Sequence, residues 1–266
     1  MQSLNDIKQL STNDRSAFLS NSPSAILEQI VGSSCGMGWF TVNYNTGVVA
    51  SGWTISDMAS TTAGAVDLVA GSEYGQYKKR SVFAASASAT AVAGIRTSAF
   101  GWRGDDVGRG GFDLWFQFGP ADNISTGRSL CGVINSVTDL TDLNPSDRLT
   151  SHFFAFGNDS ADTKLYLFTN GGSTPTKIDL GVTLPAKTLG FDWYIARIFC
   201  SPNSNTMNWW IKQVAGAGAP QQASGSVSSN LPSNTQKLAL HIMRSAGGTS
   251  LQPNSRHGAC GYASYP

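Results

Sequence analysis

The feature that most constrains the fold is a series of short segments in which apolar and polar residues alternate. In FDLWFQF every second residue is apolar, namely Phe112, Leu114, Phe116 and Phe118. Polar or amphipathic residues lie between them: Asp113, Trp115 and Gln117. Because neighbouring side chains of a β-strand point to opposite faces, this period of two predicts a strand with one apolar face.

Five later segments have strand character, and turn-forming clusters such as GNDSAD and SPNSN separate them. They are Ser151–Phe156, Lys164–Thr169, Phe191–Cys200, Met207–Lys212 and Lys237–Met243. No helical pattern intervenes, so the sequence predicts an all-β fold, an antiparallel β-sandwich. The small-residue piece at 84–94 is compatible with a strand or a loop. Residues 215–229 read as a long exposed connection around a polar strand.

The N-terminal region has a different pattern. Ser22-Pro23 is typical of a helix start, an apolar stripe follows, and Gly32 ends it. We therefore expect a helical attachment or oligomerisation segment at 1–31. An irregular β-rich segment at 32–94 and a β-sandwich domain at 95–266 complete the predicted organisation.

Composition and charge limit the classes of partner that we expect the chain to bind. The chain has 266 residues, only 13% of them charged, and a net charge of +1, which gives no field to gather nucleic acid. The short run Lys78-Lys79-Arg80 is interpreted as a solvated loop. No secretory pattern begins the sequence and no long apolar run occurs, so we expect neither secretion nor membrane insertion. The four scattered cysteines are expected to be reduced thiols.

Catalytic patterns are weak. Glycoside cleavage needs a pair of carboxylates, yet the chain has two glutamates, Glu28 and Glu73, far apart and without a strand signature. The residues Gly32-Ser33-Ser34-Cys35-Gly36 match GxSxG, but a helix would precede Ser34 and a β region would follow it, the reverse of the order that exposes a nucleophile. We expect no enzyme activity, no catalytic residue and no cofactor.

Metal-binding patterns are also weak. The three histidines are interpreted as structural because they lack metal-ligand spacing: His152, His241 and His257. Two loops collect aspartates, with Asp139, Asp142 and Asp147 in one and Asp159 and Asp162 in the other. Such loops can hold calcium, but aspartates are ordinary turn formers, and the turn interpretation is favoured. No metal is predicted.

Two tryptophans occupy matching polar surroundings. In MNWWIK, Trp210 stands between Asn208 and Lys212, as Trp115 stands between Asp113 and Gln117. Tryptophan is enriched where surface becomes buried, so these six residues are predicted to form a ligand-binding or subunit-contact face. For Trp210, contact with a neighbouring subunit ranks ahead of contact with a glycan.

Several blocks carry a family resemblance. In order, GGFDLWFQFG, SADTKLYLFTNGG, KIDLGVTLPAKT and DWYIARIFCSPNSN resemble virion structural proteins of tailed bacteriophages. These are tail-fibre or related proteins whose C-terminal region is a concanavalin-like, jelly-roll type β-sandwich, and the resemblance covers roughly residues 95 to 245. It implies a homotrimer that associates with other virion proteins, is assembled in the bacterial cytoplasm and takes part in recognising the host surface.

Together these observations predict a phage virion structural protein, a tail fibre or related tip, that contributes to attachment to host-surface glycan. Two alternatives stay open at this point. One is an architectural capsid or baseplate protein without receptor binding. The other is a polysaccharide depolymerase.

Overall fold

In the computed structural model, the strands of the described residues form two antiparallel β-sheets. The structure describes residues 36–40, 55–57, 61–66, 80–106, 109–120, 122–187, 192–216 and 218–264. The helix expected within 1–31, the GxSxG serine Ser34, and Lys78 and Lys79 lie outside these residues.

The first sheet has eight strands in the described residues. They are β1 (Gly36–Phe40), β3 (Thr61–Val66), β4 (Arg80–Ala85), β6 (Phe112–Pro120), β11 (Trp193–Cys200), β12 (Met207–Ala215), β13 (Gln221–Val227) and β15 (Asn254–Ser264). Their order across the sheet is β13-β12-β11-β6-β15-β4-β3, and β1 also pairs with β15. β13 therefore forms one edge, next to β12.

The second sheet has seven strands in the described residues. They are β2 (Ile55–Asp57), β5 (Val92–Thr97), β7 (Arg128–Ile134), β8 (His152–Asn158), β9 (Tyr166–Gly171), β10 (Thr176–Ile178) and β14 (Ala239–Ser245). Their order is β10-β9-β8-β7-β14-β5-β2.

The main core lies between the two sheets. The inward residues of β6 and β12 belong to it, as the alternation predicted: Phe112, Leu114, Phe116, Phe118, Met207, Trp209 and Ile211. Residues of the opposite sheet pack against them, including Phe154, Phe156 and Ile242. Burying each large apolar side chain contributes about 1.5–3 kcal/mol, so this interleaved layer supplies the main drive for folding.

The six predicted strands are confirmed, with ends that differ by a few residues. Residues 84–94 divide between the end of β4, a turn and the start of β5, and the polar strand suspected within 215–229 is β13. The sequence placed the start of the sandwich at residue 95. In the structure, β1 to β4, which precede that residue, pair within the same two sheets.

A loop covers part of the outer face of the seven-stranded sheet. This cover loop, residues 135–151, connects β7 to β8 and contains a short 3-10 helix at Pro145–Asp147. Beneath it lies a second apolar cluster made of Val92, Leu130, Ile134, Leu140, Phe153, Ala155, Phe168 and Met243. β8 is therefore buried on both faces, which explains the consecutive phenylalanines in its sequence HFFAFGN.

Polar contacts fix the cover loop to the sheet. Asp139 accepts a hydrogen bond from Arg96 Nε at 2.8 Å, and Asp142 pairs with Arg128 Nη1 at 2.5 Å. The ring Nε2 of His241, which is buried, lies 2.8 Å from the carbonyl oxygen of Ser136. Buried charged and polar groups need such partners, because an unpaired one costs the free energy of its lost hydration.

Candidate functional site

The six residues that the sequence singled out lie on the outer face of the eight-stranded sheet. Those on β6 are Asp113, Trp115 and Gln117, and those on β12 are Asn208, Trp210 and Lys212. β11 lies between these strands, and its Arg197 pairs in register with Trp115 on one side and with Trp210 on the other. One row across the outer face therefore reads Trp115, Arg197, Trp210.

The six predicted residues differ in how far their side chains are exposed to solvent. Asp113 is 0% exposed and Trp115 is 4% exposed within the single chain. The other four are at least partly accessible: Asn208 is exposed, and Gln117, Trp210 and Lys212 are half-buried. Asp113 and Trp115 offer no surface to a ligand or a second subunit, so they leave the candidate site. Alternation assigns a side chain to a face, but it does not say what the same chain places over that face.

Asp113 instead orients an arginine. Its carboxylate accepts two hydrogen bonds from Arg197, one from Nε at 2.8 Å and one from Nη2. Burial raises the pKa of the Asp113 carboxyl above its ordinary value of 3.8, and the hydrogen bonds and charge of Arg197 offset this only in part. The arginine side chain keeps 20% of its surface exposed, and its guanidinium carbon lies 5.5 Å from the centre of the Phe199 ring. The planar guanidinium, on the strand next to that of Trp210, is thus held in one orientation by Asp113 of β6.

β13 completes the open part of the face. Ser224 pairs in register with Trp210, and Ser226 with Asn208, and both serines are exposed. On the inward face of this strand Gly225 packs over a core tryptophan, since a Cβ there would lie 2.9 Å from the ring of Trp209. On the outward face, the small hydroxyl side chains of Ser224 and Ser226 border Trp210 and Asn208.

We call this surface the Trp210 face and define it by Arg197, Asn208, Trp210, Lys212 and Ser224. It presents one indole ring among a guanidinium, an amide, an ammonium and a hydroxyl group. Such a set can stack against a flat, partly apolar ring and hydrogen-bond the hydroxyl groups at its edge. The nearest carboxylate of the described residues on this face, Asp113, is buried and bound to Arg197. No acid and base pair of the kind that glycoside hydrolysis needs is therefore present on the described part of the face.

Sequence reasoning missed Arg197 and Ser224. Arg197 carried a signal, because it alternates with the inward residues Ala196 and Ile198 of β11 and so belongs to the outer face. Its partnership with Asp113, 84 positions earlier in the chain, depends on the strand order, which the sequence did not predict. Ser224 carried no signal beyond a polar, turn-like composition.

A concave feature lies beside the cover loop, on the opposite sheet. This groove has a volume of about 490 Å³ and is bordered by the β4–β5 turn and by residues 139–142. Its lining includes Ser86, Ser88, Thr90, Asp139, Leu140 and Asp142. It offers hydroxyl groups and carboxylates, although both carboxylates are already paired with arginines, and its lining contains no aromatic ring among the described residues.

The aspartate loops hold internal partners. Asp147 accepts a hydrogen bond from Asn144 Nδ2 at 2.8 Å, and Lys177 Nζ bridges Asp159 and Asp162 at 3.1 and 2.7 Å. The lysine ammonium thus occupies the position between the two carboxylates that a cation would take. Across the described ranges, no three side chains of histidine, cysteine, aspartate or glutamate are grouped as a metal site.

The described histidine and cysteine side chains are structural in their contacts. His152 Nδ1 accepts a hydrogen bond from the backbone N–H of Ser233 at 3.2 Å. Three cysteines are free, buried thiols, namely Cys131, Cys200 and Cys260. Burial raises the pKa of all three, to about 12 for Cys131 and Cys260, so they are poor nucleophiles. Cys35 and the ring of His257 lie outside the described part.

Within the part of the chain that the structure describes, no helix has the length and apolar character to cross a membrane.

Neither a protein-family model nor a curated protein sequence matches the chain. Solved structures do match in fold. Peanut lectin with a 9mer peptide is similar at a TM-score of 0.55 and 9% identity, covering 87% of this chain and 98% of that one. Lectin II from Ulex europaeus gives 0.53 and 9%, covering 87% and 99%. A protein of unknown function from Shewanella oneidensis MR-1 gives 0.51 and 10%, covering 100% and 95%. At these identities the likeness shows the fold, and the chain is an antiparallel two-sheet sandwich of the lectin-like, concanavalin type.

Proposed function

We propose that this chain is a non-catalytic component of a bacteriophage virion, in a tail fibre or related tip, that attaches to polysaccharide on the host surface through the Trp210 face. The observation that carries the glycan part is the half-buried indole of Trp210 on the outer face of the eight-stranded sheet, with exposed Asn208 and Ser224 beside it. The phage part rests on the sequence resemblance described above.

The geometry favours a polymer over a small ligand. The Trp210 face is an open sheet surface, which suits repeated shallow contacts along a chain of sugars. The apolar face of a sugar ring stacks on indole, while its hydroxyl groups exchange hydrogen bonds with amide and hydroxyl side chains. Because strands β11, β12 and β13 hold these groups, little conformational entropy is lost on binding. We propose a homotrimer in the virion, since several weak sites would then act together.

The test measures binding of the purified chain to capsular polysaccharides and lipopolysaccharides, with a reducing-sugar assay run in parallel. We expect binding without release of reducing ends. Trp210→Ala should weaken binding at least tenfold, since loss of one stacked ring costs on the order of 1.4 kcal/mol or more. Leu251→Ala, which removes another exposed apolar side chain (Leu251 is 52% exposed), is the matched control and should bind as the wild type does.

Each contrary result identifies another function. Release of reducing ends would make the chain a depolymerase. Absence of binding to every polysaccharide would favour an architectural particle protein. Light scattering addresses the subunit interpretation of Trp210: if Trp210→Ala separates an oligomer while leaving glycan binding intact, the face is a subunit contact. Competition by the purified chain for phage adsorption sites on host cells tests the virion role, and a lack of competition would contradict it.

A further inference from the structure

The Trp210 face carries positive charge that the rest of the described chain does not balance. Arg197 uses Nε and Nη2 to bind Asp113, and its Nη1 makes no hydrogen bond within the described residues. Lys212 has neither an ion pair nor a hydrogen bond to any described residue, although it is half-buried. The face therefore has one guanidinium nitrogen and one ammonium group available for an external acceptor.

The strand register places both cations next to Trp210, one across from it on β11 and the other two residues along β12. Trp210 pairs with Arg197 across β12 and β11, and Lys212 pairs with Ile195, two residues before Arg197. Arg197 and Lys212 thus occupy diagonal positions on one face of an antiparallel pair, whose Cα atoms are roughly 7–8 Å apart. A carboxylate on a sugar ring stacked over Trp210 would lie within reach of either long side chain.

Elsewhere in the described chain, half-buried and buried cations have a protein acceptor. Arg103, Arg148 and Lys187 bind backbone carbonyl oxygens, and the others are paired with carboxylates. Lys177 contacts Asp159 and Asp162, Arg128 contacts Asp142, and Arg244 contacts Asp122. Lys212 departs from this pattern. The protein's net charge of +1 is too small to attract anions over its whole surface, so any preference for an anionic ligand must arise from local groups such as these.

We infer that the Trp210 face selects acidic polysaccharide, in which a carboxylated sugar of the hexuronic acid type stacks on Trp210 and its carboxylate is bound by Lys212 and Arg197. This inference rests on the proposed function and names the ligand class of the same site. A carboxylate is bound most strongly where it accepts hydrogen bonds from two charged donors beside an apolar ring. The ring excludes water, so the charge-assisted hydrogen bonds are less screened.

The experiment uses a set of bacterial capsular polysaccharides, each in its native form and after chemical reduction of its carboxyl groups to alcohols. Reduction removes the charge and keeps the sugar backbone. We expect the bound polymers to contain hexuronate and to lose at least tenfold in affinity on reduction. Binding should also weaken as salt rises from 50 to 500 mM, since salt screens exposed charges.

Single-residue variants test whether Lys212 causes the preference for carboxylated polymers. Lys212→Gln should weaken binding of the native polymer about fivefold to twentyfold and leave binding of the reduced polymer unchanged, whereas Lys212→Arg should keep most of the affinity. Lys237→Gln makes the same charge change at an exposed lysine outside the face and should have no effect. If the bound polymers are neutral, or if reduction does not alter affinity, the acidic-ligand inference fails while glycan binding stands. If no polymer in either form binds, the proposed function itself fails.

Discussion

The outer faces of the two sheets obey the same alternation but have different surroundings. On the seven-stranded sheet the outward Phe153 and Phe168 are 0% exposed, because the cover loop lies over them. On the eight-stranded sheet the outward Trp210 stays half-buried between Asn208 and Lys212. Phe153 and Phe168 are thus covered by a layer of the same chain, whereas Trp210 remains accessible to another molecule.

The comparison predicts unequal losses of stability when one aromatic ring is removed from each face. Phe153→Ala leaves a cavity beneath the cover loop and should lower the free energy of unfolding by about 3–5 kcal/mol. Trp210→Ala should lower it by no more than about 1 kcal/mol, because its ring is already partly in water. Urea unfolding measures both. Equal losses for the two variants would show that the faces do not differ in the way described.

The pH dependence of the free energy of unfolding should arise in part from His241, which contacts the cover loop. Burial lowers the pKa of His241 to about 4, and the positive charges of Arg96 and Arg148 act in the same direction. The unfolded chain, with a histidine pKa near 6.5, then binds a proton more readily than the folded chain does. The contribution of His241 to the free energy of unfolding is therefore fully present above pH 6.5. It is lost as pH falls toward 4, by about 3 kcal/mol in total.

His241→Gln provides the control, because an amide can still donate to the Ser136 carbonyl but does not titrate. Carboxylates titrate in both proteins at low pH, so the quantity to compare is the difference between wild type and variant in urea unfolding at pH 7, 5 and 4. The wild type should lose more stability over this range. Parallel curves would contradict the buried, neutral histidine.

A small effect on stability is expected at Asp113, which is buried beside the accessible part of the outer face of the eight-stranded sheet. Asp113→Asn removes a costly buried charge but leaves Arg197 with a weaker partner, and these effects oppose each other. Since Arg197 is one-fifth exposed and can be hydrated, we expect a net loss of only about 1 kcal/mol. Glycan affinity should fall by threefold or more, because the guanidinium is no longer held beside Trp210. Unchanged affinity with reduced stability would make Asp113 purely structural.

The strands and their inward residues could be predicted from the sequence because side-chain alternation is a local property. The alternation in FDLWFQF and MNWWIK identified Phe116 and Ile211 as core residues, and the structure confirms both. Burial of outward residues could not be predicted, since it depends on which distant segment lies over them. Trp115 and Trp210 have similar local sequences, yet one is buried and the other half-exposed.

The pairing of strands that are distant in the sequence could not be predicted from local patterns either. The partnership of Arg197 with Asp113 requires β6 and β11 to be neighbours, although β7 to β10 separate them in the chain. β13 was only suspected, because QQASGSV has the composition of a loop and becomes a strand by pairing with β12. The glycine at 225 is explained by Trp209 beneath it, a tertiary contact that composition does not encode.

The most direct test of the central claim is an NMR titration of the indole N–H resonances of the seven tryptophans with an oligosaccharide cut from a bound polymer. Trp210 should show the largest shift, and buried Trp115 and Trp193 should show little change. A saturating titration that leaves Trp210 unshifted, with changes confined to the groove at Ser86–Thr90 and Asp139–Asp142, would contradict a glycan site on the outer face of the eight-stranded sheet.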